Sequence, residues 1–312
     1  MRAVPLVPPI HHFLVKEFSM STLREKHLRH EFTITVELDP PKSASPVKTQ
    51  KEAIHLIGYA DAVNIADCPM AKLRMSPIAL SHIVQMDYNL ETIFHLTCRD
   101  RNLMGLQAEL LGASALGVHN ILTLTGDPPS IGDNPDTKPV FETDSTGLIR
   151  IAKALNGGHD MAGNALTQPT RFYIGTTGNP GAEDLENEFQ RLAAKKEAGA
   201  DFVQTQPVYD LTRAEEYLKG AREIGLPILF GVLPLKSYKM AMYLHEKVPG
   251  ITIPKHLQNL MEQGGREEGI AIAADLVKGL KAMGAAGAHI MPINDIPAVE
   301  DIVVRAGVKE KV

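Results

Sequence analysis

Eight short segments rich in β-branched and aromatic residues recur along the 312-residue chain, each separated from the next by a stretch with helical periodicity. They cover residues 32–37, 62–66, 92–97, 121–125, 172–177, 202–206, 228–233 and 288–293. Regular alternation of strand and helix demands parallel pairing, because two parallel neighbours need a long crossover and a helix is the usual one. Residues 186–198 illustrate the helical pattern, with Phe189, Leu192 and Ala193 on one face and charged residues on the other. Steps such as Gly199-Ala200-Asp201 and Gly287-Ala288 read as helix C-caps leading directly into strands.

Eight such units close most simply into a single α/β domain, a (β/α)8 TIM barrel. An open doubly wound sheet competes with it, but that fold usually carries Gly-x-Gly-x-x-Gly after an early strand, and none follows the first four. Residues 1–31 are read as an N-terminal arm or short helix and residues 32–312 as the catalytic barrel.

Composition narrows the class. Hydrophobic residues make up 44%, charged residues 22%, and the net charge is −5, which gives no basic stripe for nucleic acid. The two cysteines, Cys68 and Cys98, are too few for a disulfide framework or a four-cysteine metal site and fit small packing residues in a reducing, cytoplasmic setting. No apolar run approaches the roughly 18 residues of a membrane span. The proline-broken start, followed by His11-His12, is not read as a signal peptide.

In a barrel of this kind chemistry collects where strands end. The first strand delivers Glu37 in Val36-Glu37-Leu38-Asp39-Pro40-Pro41-Lys42, and two prolines stop it there. Other tips offer Asp67, His95 with Thr97, Thr125-Gly126-Asp127, Thr177 with Asn179, Gln204 with Gln206, and Asn294-Asp295. No histidine or His/Glu cluster suits a catalytic metal, so none is expected, and no Ser or Cys nucleophile has an adjacent base. Acid–base chemistry around an organic cofactor is the simplest remaining reading.

Several motifs in order carry a resemblance. They are Val36-Glu37-Leu38-Asp39-Pro40-Pro41-Lys42, His95-Leu96-Thr97-Cys98, Leu124-Thr125-Gly126-Asp127-Pro128-Pro129, Asn179-Pro180-Gly181-Ala182, Thr205-Gln206 and Gly231-Val232-Leu233-Pro234. Between about Phe32 and Val304 the chain resembles the flavin-dependent, bacterial-type methylenetetrahydrofolate reductases. The resemblance implies hydride transfer through flavin N5 between 5,10-methylenetetrahydrofolate and 5-methyltetrahydrofolate, in one-carbon and methionine metabolism. It implies Glu37 as the acid that protonates the folate N10, its proton held near neutral pH by desolvation. Asp127 would lie between flavin and folate, and Gln206 and Tyr238 would contact substrate. Flavin binding would fall to His95, Thr97, Thr125, Gly126, Asp127, Asn179, Glu188 and Lys195. The cofactor is expected to be FAD, with FMN as the alternative, in a homo-oligomer reduced by NADH or NADPH. Thr125, Asn179 and Asp295 depart from the family, which has arginine, histidine and arginine there. Three alternatives stay open: electrons from an iron–sulfur partner, a pterin-binding methyltransferase-type barrel, and a non-catalytic scaffold. Arg74, after the second strand, is a candidate for a folate tail or a phosphate.

Overall fold

The computed structural model describes residues 21–311. Eight strands, β1 (Thr33–Leu38), β2 (Ala62–Ile65), β3 (Thr92–Thr97), β4 (Asn120–Leu124), β5 (Tyr173–Gly178), β6 (Phe202–Pro207), β7 (Ile228–Val232) and β8 (Gly287–Ile290), form a closed barrel in sequence order. All neighbours are parallel, and β1 closes the barrel on β8 with Thr35 opposite His289. The expected TIM barrel is therefore the fold. After α1 (Thr22–Leu28), the surrounding helices are α2 (Val47–Ile54), α3 (Pro77–Tyr88), α4 (Leu103–Ala115), α5 (Ser145–Asn156), α6 (Leu185–Ala198), α7 (Leu211–Ile224), α8 (Tyr238–Lys247), α9 (Lys255–Ala282) and α10 (Pro297–Arg305). Short polar side chains start many of them: Ser76, Asn102, Asp144, Asp184 and Asp210 each accept an amide of the first turn.

Strand alternation divides the molecule into two cores. Outward residues such as Ile34, Val36, Val63, Ile65, Phe230 and Ile290 pack under the helices. Inward residues stack in layers, as the fold requires. The lowest layer is apolar: Ala62, Ile93, Leu122, Tyr173, Phe202 and Leu229 meet there with Leu23 from α1. Gly175 makes this layer fit, since a Cβ at that position would sit 2.4 Å from the Phe202 ring.

The arm expected over residues 1–31 is thus, in its described part, a helix across the floor of the barrel; residues 1–20 lie outside the described residues. Beside it, Asp61 accepts from the amide of Ile34 and pairs with Lys26 of α1 and Lys309 after α10, tying both flanks of the barrel to one carboxylate.

Strand limits shift by a residue or so from expectation, and β8 shifts most. It ends at Ile290, whereas the sequence suggested 293, because Pro292 has no N–H and Ile293 and Asn294 adopt φ of +41° and +59°.

Candidate active site

Above the apolar floor the inward face turns polar. Thr35 and Glu37 of β1, Asn64 of β2, His95 and Thr97 of β3, Gln204 and Gln206 of β6 and His289 of β8 alternate inward with apolar neighbours that point to the helices. Asn64, His95, Gln204 and His289 are each at most 6% exposed and linked by hydrogen bonds, His289 through Thr35. Glu37 lies one step higher, its side chain 31% exposed, and its Oε2 is 3.6 Å from Nε2 of His289.

That contact corrects an expectation. Burial pushes the Glu37 carboxyl up, as the sequence suggested, but His289, with a smaller contribution from His95, more than offsets it and leaves the group below its ordinary value. Asp39, two residues on and without such a partner, is raised by burial and by the charge of Glu37. His95 is pushed down to about 4, chiefly by burial, and is neutral at physiological pH.

Thr97 sits beside His95 on the same inward face, and both its amide and its hydroxyl donate to Asp67 at 2.9 Å. Asp67 in turn holds Arg101 at 2.8 Å. Gly126 follows with φ of +96°, a conformation that favours glycine, and a Cβ there would lie 3.0 Å from that of Thr97. Asp127 is exposed and accepts the Met70 amide at 3.0 Å, linking the loops after β2 and β4. Thr125 is exposed and accepts the Ser145 amide at the start of α5. Gln206 is exposed at the end of β6, and among the described residues its side-chain amide makes no hydrogen bond. Tyr238, half-buried, opens α8.

Three other candidates are already engaged within the protein. The Asn179 side chain accepts from Gly181 in its own turn. Glu188 is buried, accepting from the Asn179 amide and the Tyr217 hydroxyl. Lys195 is buried as well, its Nζ donating to the Thr177 carbonyl, and burial lowers its pKa. Each of the three is held in place by those partners and keeps part of its hydrogen-bonding capacity free: the Asn179 amide N–H groups, the second Glu188 oxygen and two N–H of Lys195. The arginine-to-aspartate departure at Asp295 is neutralised by a two-pronged pair with Arg266 of α9, at 2.7 and 2.9 Å. Arg74 lines a rim cleft of about 420 Å³ with Asp39, Lys42, Lys48 and Asn294.

Sequence reasoning missed His289, Thr35, Asn64 and Arg101 and counted Gln204 only as a strand tip. The available signal was parity: each of the four strand residues stands an even number of places from an inward neighbour. Among the described residues no cluster of three or more His, Cys, Asp or Glu could hold a metal, and no helix is long and apolar enough to cross a membrane.

A closed (β/α)8 barrel whose open end gathers a carboxylate, two histidines and an uncommitted amide defines the class of barrel proteins with titratable side chains grouped at the C-terminal ends of the strands. The methylenetetrahydrofolate reductase family model matches residues 22–307, and the chain belongs to that family. Methylenetetrahydrofolate reductase 1 of Schizosaccharomyces pombe is 25% identical over 305 residues, covering 91% of this chain and 47% of that protein. Methylenetetrahydrofolate reductase 2 of Saccharomyces cerevisiae is 30% identical over 182 residues, covering 55% of the chain and 28% of that protein. The 5,10-methylenetetrahydrofolate reductase of Pectobacterium carotovorum is 24% identical over 216 residues, covering 66% of each. The chain thus spans about half or less of the fungal relatives. Among solved structures, oxaloacetate acetylhydrolase bound to 3,3-difluorooxalacetate aligns with a TM-score of 0.55 at 13% identity, over 95% of this chain and 89% of that one. 2,3-Dimethylmalate lyase aligns at 0.53 and 13%, over 93% and 88%. At that identity the two show the barrel alone.

Proposed function

We propose that this chain interconverts 5,10-methylenetetrahydrofolate and 5-methyltetrahydrofolate with a bound flavin, FAD in preference to FMN. The observation that carries the reading is Glu37: in a chain of this family, a carboxylate stands at the open end of β1, partly exposed and beside His289. A flavin at this mouth supplies the hydride acceptor and donor that the protein lacks.

The donor set suits such a ring. Asn64 donates to Nε2 of His95 at 2.9 Å, so the neutral imidazole keeps a proton on Nδ1 as a donor. Gln206 offers an amide donor and acceptor to a pterin or to a nicotinamide carboxamide. Gly126 lets the β4 loop run close over Thr97. Asp127 keeps one carboxylate oxygen for the amino-pyrimidine edge of a pterin while the other receives Met70.

Glu37 protonates N10 as the one-carbon bridge opens to the iminium, and in the reverse direction takes that proton back. His289 favours the carboxylate that proton donation leaves behind. Tyr238 flanks the substrate, and Lys195 and Glu188 of α6 hold the backbone at the end of β5 through Thr177 and Asn179. NADH or NADPH serves as reductant in this reading. An iron–sulfur protein is the second, because the basic positions of the family at 125 and 295 are Thr125 and Asp295 here.

Anaerobic visible spectra before and after adding 5-methyltetrahydrofolate test the proposal. Bleaching of flavin bands supports it. Flavin bands that ignore the folate but bleach with NADH sink the substrate assignment, and a protein that stays colourless after flavin is supplied returns the methyltransferase reading to the front.

A further inference from the structure

The buried polar layer beneath Glu37 is a continuous chain of hydrogen bonds with one self-consistent direction. Asn64 and Gln204 face each other across the barrel and exchange two amide bonds, Asn64 Nδ2 to Gln204 Oε1 at 2.6 Å and Gln204 Nε2 to Asn64 Oδ1 at 3.1 Å. Each amide nitrogen has one N–H left. That of Asn64 goes to His95 Nε2 at 2.9 Å, and that of Gln204 goes to Thr35 Oγ1 at 3.0 Å. Thr35 Oγ1 is also 3.0 Å from His289 Nδ1. The threonine oxygen accepts from Gln204, and Nδ1 is the acceptor within reach of its own O–H; donation there leaves the imidazole proton on Nε2, the nitrogen facing Glu37.

We propose that Gln204, acting through Thr35, is a positioning residue that locks His289 as the Nε2–H tautomer, so that Glu37 faces a donor and not a lone pair. The inference rests on the proposed acid role of Glu37 for its catalytic meaning, but not for its structural content. Reversing both amides reverses every bond: Thr35 would donate to Gln204, His289 would carry its proton on Nδ1, and Glu37 would meet a bare nitrogen, which favours its protonated form. The layer therefore couples the proton on Glu37 to an amide pair that spans the barrel from Asn64 on the neighbouring β2 to Gln204 on β6. Reorienting one amide of the pair alone is costly, since it sets donor against donor and acceptor against acceptor among buried groups.

The charged and titratable groups around this relay are few. Glu37 faces His289 from β1, His95 approaches both from β3, Asp67 lies beside His95 at the end of β2, and Asp39 stands beyond Glu37 on the rim. Apart from His289 itself none of them bonds Thr35 or Gln204, and Glu37, which faces Nε2, favours the same Nε2–H form that Thr35 and Gln204 impose from Nδ1.

Histidine-specific ¹⁵N labelling of the full chain reads the tautomers directly, with His289→Gln assigning the signal. The expected result is Nε2–H for His289 and Nδ1–H for His95. Thr35→Val, which removes the hydroxyl at nearly constant shape, is expected to convert His289 to a tautomer mixture and to move the Glu37-dependent limb of the pH–rate profile upward by about one unit. Thr35→Ser, which keeps the hydroxyl, is expected to restore both, and Gln204→Leu to reproduce the valine result. An Nδ1–H tautomer in the unsubstituted protein, or a His289 signal indifferent to Thr35→Val, overturns the proposal. Because the spectra need no folate, the two readings separate. Expected tautomers without folate turnover would sustain the relay and sink the reaction, and folate turnover with the wrong tautomer would do the reverse.

Discussion

Glu37 and His289 stand 3.6 Å apart across the seam where the first strand of the barrel pairs with the last. Each comes from an opposite end of the chain, and only closure brings them together. The imidazole more than offsets the cost of burying a carboxylate, so the protonation of Glu37 is set by its partner against desolvation.

Replacing the partner should therefore change the acid without removing it. In His289→Gln the upward push of burial on Glu37 is less opposed, and its proton is retained to higher pH. The acid-dependent limb of folate turnover is expected to move up in pH, with flavin content unchanged, as pH–rate profiles of the variant and parent would show. An unmoved limb means that the two side chains do not communicate.

Glu37→Gln removes the proposed proton donor while nearly keeping its shape. Folate turnover should fall by about 10²–10⁴-fold, the usual contribution of one general acid, while reduction of the flavin by its electron donor persists. Stopped-flow measurement of the two half-reactions separates these, and full folate turnover in the variant would remove Glu37 from the mechanism.

Asp61 gives a pH-dependent stability prediction. Burial raises this carboxyl, but the Ile34 amide and the two lysines outweigh it, and the folded-state pKa lies below the ordinary value. A depressed acid stabilises the fold above its unfolded pKa and loses that contribution as pH falls through the folded one. Asp61→Asn should cost about 1–3 kcal/mol near neutrality, an amount moderated because Lys26 and Lys309 are 30% and 22% exposed. Urea unfolding at neutral and strongly acid pH should show the difference between parent and variant shrinking in acid.

Leu23 is fully buried against the apolar floor. Leu23→Ala is expected to lower stability by about 2–4 kcal/mol through the cavity it opens, with turnover per folded molecule retained because the mouth is at the other end. Thermal unfolding together with specific activity checks both halves of this expectation.

Gly126→Ala should act on the cofactor end. The backbone at φ of +96° resists a side chain, and the added methyl presses on Thr97 and Arg99. A loss of about 1–3 kcal/mol of stability and a lower flavin content per chain are expected, the second measured by absorbance of the purified protein. Wild-type flavin content in a well-folded variant would place the cofactor away from this loop.

The sequence by itself determined the barrel, because eight β-rich segments alternating with amphipathic helices admit few other closures, and local spacing records that alternation. It also exposed Glu37, whose place before two prolines fixes it at a strand end. It did not disclose that Asn64, Gln204, Thr35 and His289 form one layer. Inward position is set by strand parity and register, and a polar residue inside a short strand looks the same in sequence whether it faces the barrel axis or a helix. Nor could it show that Glu188 and Lys195 are engaged by backbone and by Tyr217, since those contacts form only when α6 and α7 pack against the end of β5. The sign of the Glu37 shift was decided by tertiary structure alone: burial was inferable from position, but the compensating imidazole arrives from β8 only when the barrel closes.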